Sequence, residues 1–151
     1  MNLTPFRGFT LIEMLAVIVL IAIGASVAAV SLHGRSRGEL SAAAQGIAAG
    51  LRDTRTRAMA HGKPEWFTLD LKTHAYRVPG RPPRGLPAAA TLAATTAKVG
   101  PQPAGVARIG YFPDGSSSGG HITLSERHRV LRVDVDWLTG AVTVTDKVER
   151  D

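Results

Sequence analysis

The sequence predicts an α+β chain, in which a long N-terminal helix is followed by a small β domain. Three observations carry this. Residues 14–32 form an apolar run without a charge, residues 36–61 are Ala-rich with apolar positions at helical spacing, and beyond Pro64 the apolar period shortens to two. At 151 residues the chain has room for one modest domain beside its first helix.

Residues 9–32 predict a membrane span. The segment is 24 residues long, or about 36 Å at ~1.5 Å per residue, against a hydrocarbon core of about 30 Å. Its single carboxylate, Glu13, lies near one end. At the centre of a membrane helix an acid costs roughly 2.5–3.5 kcal/mol, and less near a terminus, so this charge wants a partner. A cut between Gly8 and Phe9 would supply one, because the new α-ammonium group would lie four residues before Glu13.

Gly8-Phe9-Thr10-Leu11-Ile12-Glu13, after a short leader and before the apolar run, resembles the class III signal of type IV pilins and type II secretion pseudopilins. The resemblance implies that residues 1–8 are a leader removed by a prepilin peptidase after Gly8. It implies N-methylation of Phe9 and a role for Glu13 in registering one subunit against the next in a helical filament. Orientation also comes from the resemblance, which implies an inner-membrane anchor with the bulk of the chain in the periplasm. Only Arg7 precedes the span while Arg35 and Arg37 follow it, so charge asymmetry does not favour a cytoplasmic N-terminus.

Residues 33–62 read as an amphipathic continuation of the helix. Leu40, Ala44, Ile47, Leu51, Thr54 and Ala58 fall on one face, while Glu39, Gln45, Arg52, Asp53, Thr56 and Arg57 fall elsewhere. Gly62 before Lys63-Pro64 stops the helix at His61, and His61 and Arg57 suit the negative end of its dipole. Gly34 and Gly38, at about 1 kcal/mol each against alanine, predict a loosened joint. Gly46-Ile47-Ala48-Ala49-Gly50 offers a surface for close backbone approach, by a neighbouring chain or by the protein's own sheet.

Residues 63–151 read as the β domain. Segments 66–71 and 75–78 form a hairpin, with Phe67, Leu69 and Leu71 on one face. Residues 79–105 collect Pro79, Pro82, Pro83, Pro87, Pro101 and Pro103 around an Ala/Thr-rich centre without alternation, and are expected to be a long surface loop. Four further strands are expected over 106–112, 121–125, 129–137 and 141–145. In the third, Leu131, Val133, Val135 and Trp137 face one way and Arg132, Asp134 and Asp136 the other. Residues 148–151 read as a polar tail.

Composition narrows the chemistry. There is no cysteine, so the fold holds without disulfides and thiolate metal sites are excluded. The net charge of +6 and pI near 10.5 suit contact with head groups, nucleic acid or an acidic protein face. No block of five or six like charges appears, so the basic excess reads as solvated surface. His33, His61, His74, His121 and His128 show no metal-ligand spacing.

The local motif that most resembles catalytic machinery is Gly115-x-Ser117-x-Gly119, with Asp114 and His121 nearby. A nucleophile elbow needs a following helix, and Ile122-Thr123-Leu124 predicts a strand, so the segment reads as a loop between strands. A phosphate cradle lacks both the helix and the Gly-Lys-Ser/Thr signature.

Residues 111–120 with Val133-Asp134 and Thr139-Gly140 resemble the H-type minor pseudopilins of type II secretion and the related transformation-associated minor pilins. That resemblance implies a pilin-like fold, a long helix packed on two small antiparallel β-sheets. It implies a structural role without enzymatic activity or cofactor. The partners it implies are the other minor pseudopilins, the major pseudopilin and the inner-membrane assembly platform. Glu13 argues against the K-type tip subunit, which in the family lacks that acid. The alternative is a DNA-binding minor pilin acting in DNA uptake, with Arg127, Arg129, Arg132, Lys147 and Arg150 meeting phosphates near the C-terminal strands. Stacking aromatics are few there, and Asp134 and Asp136 share a face with Arg132.

Overall fold

The computed structural model describes residues 10–97 and 103–148, with side chains given outside residues 25–37 and Val148. Its elements are one helix, α1 (Leu11–His61), then β1 (Glu65–Asp70), β2 (Ala75–Arg77), β3 (Arg84–Gly85), β4 (Thr91–Thr96), β5 (Val106–Tyr111), β6 (Gly120–Glu126), β7 (Arg129–Val135) and β8 (Val142–Val148). The chain divides into two compact units, Met1–Arg37 and Gly38–Asp151. The β domain and the second half of α1 belong to the latter.

The six stripe residues of α1 are all buried. Removing a Leu or Ile side chain from water stabilises by about 1.5–3 kcal/mol, so this stripe is the main reason the helix stays on the domain. Thr54 belongs on it because its hydroxyl donates to the Gly50 carbonyl at 2.8 Å, satisfying the buried polar atom within the helix. The helix ends at His61. Gly62, at φ 63°, makes the left-handed turn that a side chain would resist.

Two antiparallel four-stranded sheets follow, in the orders β3-β2-β1-β5 and β4-β6-β7-β8. The hairpin β1–β2 turns where Asp70 Oδ1 accepts from the amides of Lys72 and Thr73. Phe67 and Leu69 from β1, Ile109 and Tyr111 from β5, Ile122 and Leu124 from β6, and Leu131 and Val133 from β7 join the helix stripe in one apolar cluster. The small residues of α1 serve this packing. A Cβ on Gly50 would lie 3.0 Å from Phe67 Cε2 and from Val78 Cγ2, and one on Gly46 would lie 3.1 Å from the Tyr76 hydroxyl.

Three expectations are corrected. Residues 79–105 are not one long loop, because they contain β3 and β4, and β4 pairs with β6 over six residues, including Leu92↔Leu124 and Ala94↔Ile122. Ala and Thr differ too little in polarity for its alternation to show, while β-branched threonines suit an edge strand. Trp137 does not share the buried face of β7. It is 66% exposed, since the strand ends at Val135 and the Asp136 carboxylate then collects the amides of Leu138 and Thr139 into a turn. Val148 is not tail but the last residue of β8, opposite Arg129.

Candidate functional site

At the head of α1, Thr10 caps the helix. The Glu13 amide donates to the Thr10 hydroxyl at 3.3 Å and to its carbonyl at 3.1 Å, and the Met14 amide reaches the same carbonyl at 3.2 Å. Thr10-x-x-Glu13 is thus a capping-box sequence, a second use of the pattern that the apolar context obscured. Glu13 sits in the first turn, where the helix dipole favours an anion. Its carboxylate is exposed and has no ion pair among the described residues.

Around it, the large side chains Leu11, Ile12, Met14, Leu15 and Val17 through Ile21 are all exposed, Leu11 to 86%. An apolar surface on every side of a helix needs lipid or other helices to cover it. Among the described residues no helix is long and apolar enough to cross a membrane by itself. The expected span 9–32 includes Phe9 and the side chains of residues 25–32, which lie outside the description. Gly8, Phe9 and Arg150 also lie outside the described residues.

The Gly/Ser loop is a clasp. Ser117 is buried, its hydroxyl donates to the Asp136 carbonyl at 3.0 Å and accepts from the Gly119 amide at 2.9 Å, and its amide donates to the Trp137 carbonyl at 2.9 Å. Asp114 takes the amide and hydroxyl of Ser116. The serine proton is therefore committed to a carbonyl and not to a histidine, and Asp114 braces its own turn. Gly115, at φ 84°, makes that turn.

From the helix, Arg55 Nε donates to the Gly115 carbonyl at 2.9 Å and Arg52 to the Val142 carbonyl at 3.0 Å. The sequence places Arg52 off the apolar stripe, and spacing gives no sign that either guanidinium reaches a main-chain carbonyl of the β domain. Both charges act on Tyr111, whose hydroxyl is buried without a hydrogen-bond partner among the described residues. Burial pushes its ionisation upward, opposed by the charges of Arg55 and Arg52.

Of the basic residues considered for nucleic acid, two are held by carboxylates among the described residues. Arg129 bridges Asp146 at 2.6 Å and Arg132 bridges Asp134 at 2.7 Å. Arg127, at φ 55°, occupies the turn between β6 and β7. Lys147 is exposed on β8.

Two family models match this chain. One, the prokaryotic N-terminal methylation motif, covers residues 4–29, and the other, type II transport protein GspH, covers residues 43–140. The type II secretion system protein H of Xanthomonas campestris pv. campestris is 42% identical over 137 residues, spanning 90% of this chain and 81% of that protein. The fold is similar to that of the minor pseudopilin EpsH from the type 2 secretion system of Vibrio cholerae. The TM-score is 0.56 at 13% identity, over 71% of this chain and 96% of that one. At that identity the likeness speaks for the fold alone, a helix on two antiparallel sheets, whereas the family model and the close relative speak for descent. The chain belongs to the GspH family of type II transport proteins.

Proposed function

We propose that the chain is a structural minor pseudopilin of the type II secretion pseudopilus, supporting export of folded proteins across the outer membrane. The observation that carries this is Glu13, an acid without an ion pair among the described residues, in the first turn of a helix whose large side chains from Leu11 to Ile23 are exposed. A prepilin peptidase cuts between Gly8 and Phe9, Phe9 is N-methylated, and the freed amine of one subunit meets Glu13 of the next. The helix anchors the subunit in the inner membrane until assembly, with the β domain in the periplasm. Its partners are the other minor pseudopilins, the major pseudopilin and the inner-membrane assembly platform.

No catalytic role belongs to this reading, in which Ser117 is a brace. This reading is favoured over DNA uptake, since Arg129 and Arg132 are taken up by carboxylates and the family is that of type II transport protein GspH.

The test is a strain whose only copy carries Glu13→Ala. Cleavage after Gly8, read by mass analysis of the membrane-extracted protein, continues, while secretion falls and the subunit no longer co-purifies with the other pseudopilins. Wild-type secretion by that strain overturns the assignment.

A further inference from the structure

A groove lies between the second half of α1 and the β2–β3 edge of the first sheet. Its main basin, about 720 Å³, is floored by Gly46 and Gly50 and walled by Tyr76 and Arg84. A second hollow of about 360 Å³ continues it toward Glu39 and shares Gly46, Tyr76 and Arg84.

Tyr76 and Arg84 are direct cross-strand partners, so their side chains leave one face with Cβ atoms about 4.5–5.5 Å apart. Tyr76 is only 5% exposed and its ring stacks on Phe67 at 5.5 Å. Among the described residues its hydroxyl has no hydrogen-bond partner, although it lines both hollows. Arg84 is exposed and has no ion pair among the described residues. Asp53, the one carboxylate of the main basin, is already held by Arg57 at 3.3 Å and Arg81 at 2.9 Å. The main basin therefore holds three guanidiniums against one carboxylate.

A phenol fixed by stacking, beside an uncommitted guanidinium, is a donor pair suited to a carboxylate. The floor is apolar, and β3 is the outer strand of its sheet, so its far edge presents main-chain groups. These features suit a polypeptide better than a nucleic acid, which would ask for a track of cations with stacking aromatics.

We propose that this groove docks a carboxylate-bearing segment of a neighbouring protein subunit, whose Asp or Glu accepts from the Tyr76 hydroxyl and the Arg84 guanidinium. That the neighbour is a pseudopilus subunit rests on the function proposed above; the chemistry of the groove does not.

The probe is a capped, fluorescent heptapeptide of alternating valine and glutamate, titrated by anisotropy against the full-length protein in detergent micelles. Its glutamine counterpart and a single-stranded oligonucleotide serve as comparisons. The glutamate peptide binds saturably, and the glutamine peptide binds about tenfold more weakly. Tyr76→Phe, which keeps the ring, and Arg84→Gln each weaken binding roughly three- to tenfold. The oligonucleotide does not displace the peptide. Absent binding, equal binding of the two peptides, indifference to both substitutions, or displacement by the oligonucleotide overturns the proposal. Because the readout is peptide affinity, its failure leaves the Glu13 secretion test unaffected, and the reverse holds too.

Discussion

Arg55 Nε donates to the Gly115 carbonyl at 2.9 Å, joining α1 to the β5–β6 loop across 60 residues of sequence. Gly140 lies beside both groups, at φ 65°, where a Cβ would run into Arg55 and the Gly115 carbonyl. Helix, loop and β7–β8 turn thus meet around one guanidinium. Hydrogen bonds to charged groups contribute about 1.5–3 kcal/mol, so Arg55→Ala lowers urea-unfolding stability by about that amount. An unchanged urea midpoint would show that the guanidinium is not holding the loop.

Two glycines of α1 respond in opposite directions to the same substitution. Nothing lies within 4 Å of a Cβ on Gly38, so Gly38→Ala raises stability by up to about 1 kcal/mol through helix propensity. At Gly50 the same gain meets a methyl 3.0 Å from Phe67 Cε2 and Val78 Cγ2 and 3.2 Å from Tyr76 Cε2. Overpacking costs about 1–3 kcal/mol, which leaves Gly50→Ala a net loss. Thermal unfolding of the two variants side by side reads the sign of each.

Asp136 makes the Trp137 turn sensitive to acid. Its carboxyl is held below the usual carboxylate range, first by the Thr139 amide, then by the Thr139 hydroxyl and the Leu138 amide. With the folded value below the unfolded value of about 3.9, the stabilisation is complete above that pH and is lost as pH falls through the folded value. The near-UV circular dichroism of Trp137 should therefore weaken on the acid side of pH 4, and Asp136→Asn should flatten that change. Superimposable acid titrations of the two proteins would remove Asp136 as the cause.

Glu13 lies three residues after the Thr10 cap, at the capping-box position, as well as at the proposed subunit contact, and a local role and an inter-subunit one separate chemically. Glutamine serves the cap nearly as well as glutamate but carries no charge. If Glu13 pairs with a neighbour's amine, Glu13→Gln blocks secretion as fully as Glu13→Ala. Wild-type secretion by the glutamine variant would reduce the residue to a helix cap.

The amino-acid sequence alone determined the features whose cause is local. The buried stripe from Leu40 to Ala58, the stop at Gly62, the hairpin of 66–71 with 75–78 and the alternation through Leu131, Val133 and Val135 follow from side-chain period and turn chemistry within a few residues. Tertiary structure decided what depends on distant partners. Strand β4 exists because β6 presents an open edge to a segment too uniform in polarity to announce itself, and Trp137 is exposed because the Asp136 turn outweighs continued alternation. Arg52 and Arg55 find carbonyls 90 and 60 residues away, and Tyr76 meets Arg84 only because β2 and β3 pair. Periodicity records which face of an element is apolar; it carries no information about which donor will later lie opposite which acceptor.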